Sequence, residues 1–168
     1  MHLMAALVAF EESDSLNWSQ CLRWAKEIAL GLQEIHAAGM FHMDLKSYNV
    51  VIDDLYNAII IDFGRRGSTY GWNAPETYVD MDEPELGVDA MQKADIYSFG
   101  VVLWEILTRE EVDIPIGMDH AEFFRLDDQV ENEIYIELMR RCLQNRPSKR
   151  PELAEIIGTL ETLERKAK

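Results

Sequence analysis

At 168 residues, with 48% apolar and 28% charged side chains, the chain has the balance of one globular domain large enough to bury a core. Its formal charge of −15, from 31 acids against 16 bases, argues against a nucleic-acid partner, which would need clustered Lys and Arg. Two cysteines, Cys21 and Cys142, are too few for a disulfide framework, and no apolar run approaches membrane-spanning length. The chain therefore reads as soluble and intracellular, cytoplasmic, with protein rather than membrane or nucleic acid as its partner.

In chain order, Met1 to Phe10 is apolar with acids arriving at Glu11 and Glu12, the pattern of a strand or short buried segment. Asn17 and Gln20 have capping-box spacing for a helix start. Behind them Trp18, Cys21, Leu22, Ala25, Ile28, Ala29, Leu32 and Ile35 recur at helical intervals, and Gly39 supplies a stop. His42 to Ile52 reads as a loop entering a short strand. Ile59-Ile60-Ile61 reads as a second strand that runs into a turn at Asp62-Phe63-Gly64. Thr77 to Ala90 is an acidic surface connection. Met91 to Thr108 is apolar nearly all round, hence a buried central helix. Asp95, near its start, must find hydrogen-bond donors. Ala121 to Leu126 and Asn132 to Leu143 read as helices, and Pro151 as the first residue of a last helix ending near Lys166. Glu161, Glu164, Arg165 and Lys166 read as a solvated face of that helix.

Asp44, Lys46 and Asn49 stand in the pattern D-x-K-x-x-N, and Asp62-Phe63-Gly64 follows. Ala74-Pro75-Glu76, then Asp95-Ile96-Tyr97-Ser98-Phe99-Gly100, then Arg150-Pro151 complete the series. Five landmarks in this order resemble the eukaryotic protein kinases. The resemblance implies an α+β, mainly helical fold: the large C-terminal lobe of a kinase over residues 17–168, with a vestige of the small lobe's last strand and hinge over 1–16. It implies Asp44 and Lys46 as catalytic groups, Asn49 and Asp62 as magnesium ligands, and Thr69 as a substrate-positioning hydroxyl. Glu11, in the hinge, and Val51 would contact the nucleotide. His42, Phe63, Glu76, Asp95 and Arg150 would be structural, with Asp95 holding the loop beside His42 and Arg150 paired with Glu76. The cofactors implied are ATP and Mg2+.

Two departures share a cause. Met43 stands where the family carries the arginine of H-R-D, and only residues 65 to 73 separate D-F-G from A-P-E, so the loop that such an arginine grips when phosphorylated is nearly absent. Arg65 and Arg66 read either as solvated loop charges or as phosphate ligands. The sequence contains no G-x-G-x-x-G loop, no strand lysine in a V-A-I-K setting and no helix glutamate to pair with it. Two functions are therefore expected: transfer of phosphate from Mg-ATP to Ser or Thr hydroxyls of proteins, weak or absent in the isolated chain, or a non-catalytic, pseudokinase-like scaffold with an acidic helical face and a bare strand edge near Leu7.

Overall fold

Helix α3 (Val88–Thr108) is buried along its length from Lys93 to Ile106, as its all-round apolar sequence requires. The computed structural model describes residues 1–12, 17–64, 69–78, 87–115, 118–126 and 132–167. The hinge exit at 13–16, Arg65 and Arg66, and most of the acidic connection after Thr77 lie outside the described residues. Helix α2 (Trp18–Ala37) packs on α3 and buries Cys21, Leu22, Ala25, Ile28, Ala29, Leu32 and Ile35. Helix α5 (Glu133–Cys142) lies along α3 at Gly100, where an added Cβ would stand 2.7 Å from the Cβ of Cys142. Helix α6 (Leu153–Lys166) closes against α2 and α5, and the single turn of helix α4 (His120–Phe123) sets Phe123 beside Trp104 of α3. Both cysteines are free and fully buried, and burial pushes both thiols up, Cys142 to about 12.

The only sheet among the described residues is an antiparallel hairpin of β1 (Val50–Ile52) and β2 (Ala58–Ile60), with Val50 opposite Ile60. It rests on α2 where Gly31 leaves room for the Ile60 side chain. The Asp53 carboxylate accepts the Leu55 and Asn57 amides to close the turn, and Trp24 of α2 donates its indole N–H to the Tyr56 carbonyl. The caps of α2 follow the sequence. Asn17 Oδ1 accepts the Gln20 amide at 2.8 Å, though the Gln20 side chain turns to the Tyr56 carbonyl, so half of the capping box forms. At the other end Gly39 (φ 73°) and Met40 donate back to His36 and Ile35, a Schellman stop.

Three expectations are corrected. Leu3–Glu12 is a helix, α1, where a strand and hinge were expected. Leu3, Ala6 and Leu7 are fully buried at helical spacing, and Leu, Met and Ala, none of them β-branched, favour this form. Leu7 is thus a core residue and not on a bare strand edge, and Glu11 falls in the last turn of α1, without the extended backbone on which its nucleotide contact rested. Glu164 is buried, because α6 lies on α2 and presents it to Lys26. The last helix starts at Leu153, two residues after Pro151, because Lys93 of α3 holds the carbonyls of Arg150 and Pro151 out of helical pairing.

The α3–α5 contact yields a stability test. Replacing Gly100 by Ala forces a methyl against the Cys142 Cβ and Leu143, and should cost about 1–3 kcal/mol, read as a lower urea midpoint with unchanged slope. Gly158→Ala in α6, where an added Cβ meets nothing within 4 Å, should not destabilise.

Candidate functional site

The segment leaving α2 turns sharply through His42 and Met43 before entering the turn at Ser47–Asn49 and strand β1. His42 is fully buried. Its Nε2 lies 3.0 Å from the Ile61 carbonyl, and Nδ1 accepts the Asp44 amide at 3.2 Å, which assigns the ring proton to Nε2. Met43 adopts φ 64°, a left-handed conformation that costs a non-glycine residue about 1 kcal/mol or more. Asp95 of α3 holds it there. One carboxylate oxygen accepts the His42 amide and the other the Met43 amide, both at 2.8 Å. A third donor, His36 Nε2 in the last turn of α2, reaches the same carboxylate at 2.8 Å. The requirement that Asp95 find donors is thus met by two backbone amides of the loop and one ring from the helix before it.

This loop and the segment after Gly64 place three functional groups in one cluster. Thr69 donates its hydroxyl to Asp44 Oδ1 at 2.6 Å, Lys46 Nζ donates to Asp44 Oδ2 at 3.1 Å, and Lys46 Nζ also donates to Thr69 Oγ1 at 2.8 Å. Asp44 Oδ2 also accepts the Asn49 amide at 3.5 Å, whereas Oδ1, which accepts only Thr69 among the described residues, retains acceptor capacity for a further hydroxyl. Asn49 stands at the start of β1, and the Ile61 amide donates to its carbonyl, which makes Asp62 its near neighbour across the hairpin. The Asn49 amide nitrogen donates to the Asp44 carbonyl at 2.8 Å, and Oδ1 accepts from no donor among the described residues. Asp62 is exposed, with φ 59°, and its carboxylate has no hydrogen-bond partner among the described residues. A carboxylate and an amide oxygen, both open, suit a hard cation that takes its remaining ligands from phosphate and water. No cluster of three or more His, Cys, Asp or Glu that could hold a metal occurs among the described residues.

Val51 is half-buried on β1, and beside it Met1 and His2 pair with the strand as a short third segment. Phe63 is 44% exposed and ends a groove of about 500 Å³ also lined by Leu30, Ile35, Met40, Ile59 and Ile60, away from the Asp44 cluster. Glu76 and Arg150 form the expected pair, fork to fork, with the Arg150 side chain fully buried and Glu76 partly so. Arg150 also donates to the carbonyls of Lys93, Gln144 and Asn145, so its removal would leave a partly buried carboxylate and three carbonyls short of donors.

Along its length the chain matches the protein tyrosine and serine/threonine kinase family over residues 3–160. The chain belongs to the protein kinase family. Relatives agree with that assignment. The chain is 33% identical over 157 residues to a probable serine/threonine-protein kinase of Dictyostelium discoideum, covering 87% of this chain and 38% of that protein. It is 32% identical over 173 residues to the serine/threonine/tyrosine-protein kinase HT1 of Arabidopsis thaliana, covering 90% and 42%. It is 30% identical over 181 residues to cyclic GMP-binding protein C of Dictyostelium discoideum, covering 92% and 7%. The chain thus spans less than half the length of each of these proteins. Among the described residues no helix is long and apolar enough to cross a membrane.

Of the sequence-predicted residues, Asp44, Lys46, Asn49 and Thr69 meet in one hydrogen-bonded cluster, and the structure adds two residues the sequence analysis did not single out. His36 carries a readable signal: a histidine one position after the buried Ile35, in the last turn of a helix leading into the loop it supports. Glu105 carries another, an acid inside an apolar helix. It is fully buried, and accepts the Ser47 hydroxyl at 2.8 Å and the Trp72 indole N–H at 3.0 Å, which ties the Ser47–Asn49 turn to the segment after Thr69. Burial pushes its carboxyl from 4.5 to about 7 against the opposing pull of its two donors. Folding therefore favours the protonated form. That contribution is fully present below about pH 4.5 and is lost as pH rises through about 7. Glu105→Gln should flatten this fall, by up to about 3 kcal/mol between pH 5 and 8, in urea titrations compared with the parent chain.

Proposed function

We propose that this chain is the large lobe of a protein kinase that transfers the γ-phosphoryl group of ATP to Ser or Thr hydroxyls of proteins. One observation carries the reading: the Asp44, Lys46 and Thr69 side chains are joined in a closed triangle of hydrogen bonds, with Asn49 against Asp44 and its Oδ1, like the Asp62 carboxylate, without a donor among the described residues. Asp44 orients the acceptor hydroxyl and receives its proton. Lys46 lies against that hydroxyl's position and balances charge on the moving phosphoryl group. Thr69 fixes the spacing of Asp44 and Lys46, and its presence with Lys46 favours Ser and Thr over Tyr as acceptors. Asn49 Oδ1 and the Asp62 carboxylate would hold Mg2+, which supplies neutralisation of the phosphate oxygens when bound. Val51, half-buried on β1, would contact the nucleotide. The probable serine/threonine-protein kinase among the relatives supports this substrate class, whereas HT1, a serine/threonine/tyrosine-protein kinase by name, supports protein hydroxyls without separating Tyr from Ser and Thr.

Incubated with Mg-ATP and a generic protein substrate, the chain should give a phosphoserine or phosphothreonine signal that Asp44→Ala lowers by about 10²-fold or more. The sequence holds no Gly-rich loop to cover the phosphates, so turnover is expected to be slow, and dependence on Asp44 is the readout. Equal signal from both chains would end this reading. A second reading, a kinase-shaped binding module, is favoured by the open apolar groove that runs to Phe63. Thermal melting separates the two: a nucleotide-binding lobe should melt higher with Mg-ATP, and the shift should vanish in Asp62→Ala.

A further inference from the structure

Helices α5 and α6 contribute no residue to the Asp44 cluster. Between them lies an apolar groove of about 330 Å³, lined by Ile134, Leu138 and Thr159 together with Glu133, Glu137 and Arg141. Three features of this surface run against the local preferences of the helices that form it. Ile134 is 49% exposed, whereas the other apolar residues of α5, Tyr135, Ile136, Leu138, Met139 and Cys142, are buried. Glu133 and Glu137 stand one turn apart on the exposed face, a like-charged spacing that weakens a helix, and neither has a hydrogen bond or ion pair among the described residues. Arg141, one turn further on, donates instead to Glu155 of α6. Gly158 lies in the interior of α6, where glycine is a poorer helix former than alanine. An added Cβ there would meet nothing within 4 Å, so no contact inside the chain calls for the missing side chain. Nearby, Thr159 and Thr162 give their hydroxyl protons to the Glu155 and Gly158 carbonyls, both at 2.9 Å, and leave no free hydroxyl donor on that side of α6. Proteins break local preferences in this way where a surface serves function.

We infer that the α5–α6 face around Ile134 is a docking surface for a basic amphipathic helix of a partner protein. One apolar side chain of that helix enters the groove against Ile134 and Leu138. Lys or Arg residues one turn apart on the partner meet Glu133 and Glu137, whose own spacing is one turn. Gly158, with no side chain, admits close approach of the partner's backbone. Charge selects the occupant. The chain carries a formal −15, which draws a cationic helix and repels an acidic one or a second copy of the same chain. The phosphoryl-transfer reading stands or falls without this face.

The test is peptide binding to the full chain, read by fluorescence anisotropy at about 0.15 M salt, where distant charges are screened. Three labelled peptides of about 20 residues, long enough to hold a helix, are compared. The first is an amphipathic helix of Leu and Lys, the second has the same composition in an order without an apolar face, and the third replaces every Lys by Glu. The first should bind about tenfold tighter than either of the others. Ile134→Ser and Glu137→Gln should each weaken it about fivefold. Gly158→Leu should weaken it as much while the chain melts no lower than the parent, which separates lost docking from lost folding. Ile59→Ser, in the groove that runs to Phe63, should change nothing. Ile134→Ser should also leave the sedimentation of the chain unchanged. No binding of the first peptide, equal binding of the first and either of the others, or an Ile134→Ser effect no larger than that of Ile59→Ser would each overturn the inference. So would a Glu137→Gln or Gly158→Leu chain that binds as the parent does, or a dimer that Ile134→Ser dissociates, which would give the face to a second copy.

Discussion

The carboxylate of Asp95 gathers three donors from two different parts of the chain, and the arrangement of the whole site follows from it. A buried carboxylate is costly unless fully hydrogen-bonded, and bonds to a charged acceptor are worth about 1.5–3 kcal/mol each. Here the donors are the amides of His42 and Met43 and the ring of His36. Satisfying Asp95 thus requires the backbone to pass over α3 in the strained left-handed turn at Met43. With that turn set, Asp44 and Lys46 come within hydrogen-bond reach of Thr69.

The same logic repeats along α3. Lys93, Asp95 and Glu105 are its buried charged side chains, and each holds a separate loop. Lys93 holds the carbonyls of Arg150 and Pro151, Asp95 the turn at 42–43, and Glu105 both Ser47 and Trp72. Arg150, anchored in return on the Lys93 carbonyl, carries Glu76 and so fixes the far end of the segment that begins at Thr69. The apolar residues of α3 make the core, and its few polar residues decide where the irregular segments lie. A helix with little amphipathic bias can do both, because it has neighbours on every side.

How much of this could be read in the sequence depends on the range of the interactions. The long helices were legible from periodicity, and Asn17 and Gly39 marked the ends of α2 correctly because capping is local. Asp44, Lys46, Asn49 and Asp62 were legible as a motif, and Glu76 with Arg150 as a pair. The segment Leu3–Glu12 was misread because a short, nearly uniform apolar run carries no clear period, and burial of Leu3, Ala6 and Leu7 on one face emerges only once α1 packs beside the hairpin. Glu164 was misread because its partner Lys26 is distant in sequence. Glu105 with Ser47 is similarly long-range, and no local spacing announces it.

The cysteines have a practical consequence. Cys21 and Cys142 are both sealed in the core, on α2 and α5, and burial disfavours the thiolate of each. A thiol-reactive dye therefore meets no target on the folded chain, and its rate of attachment is a clock for the opening of α2 or α5 away from α3. Because the two sulfurs sit on different helices, mass spectrometry of singly labelled chains would tell which helix departs first.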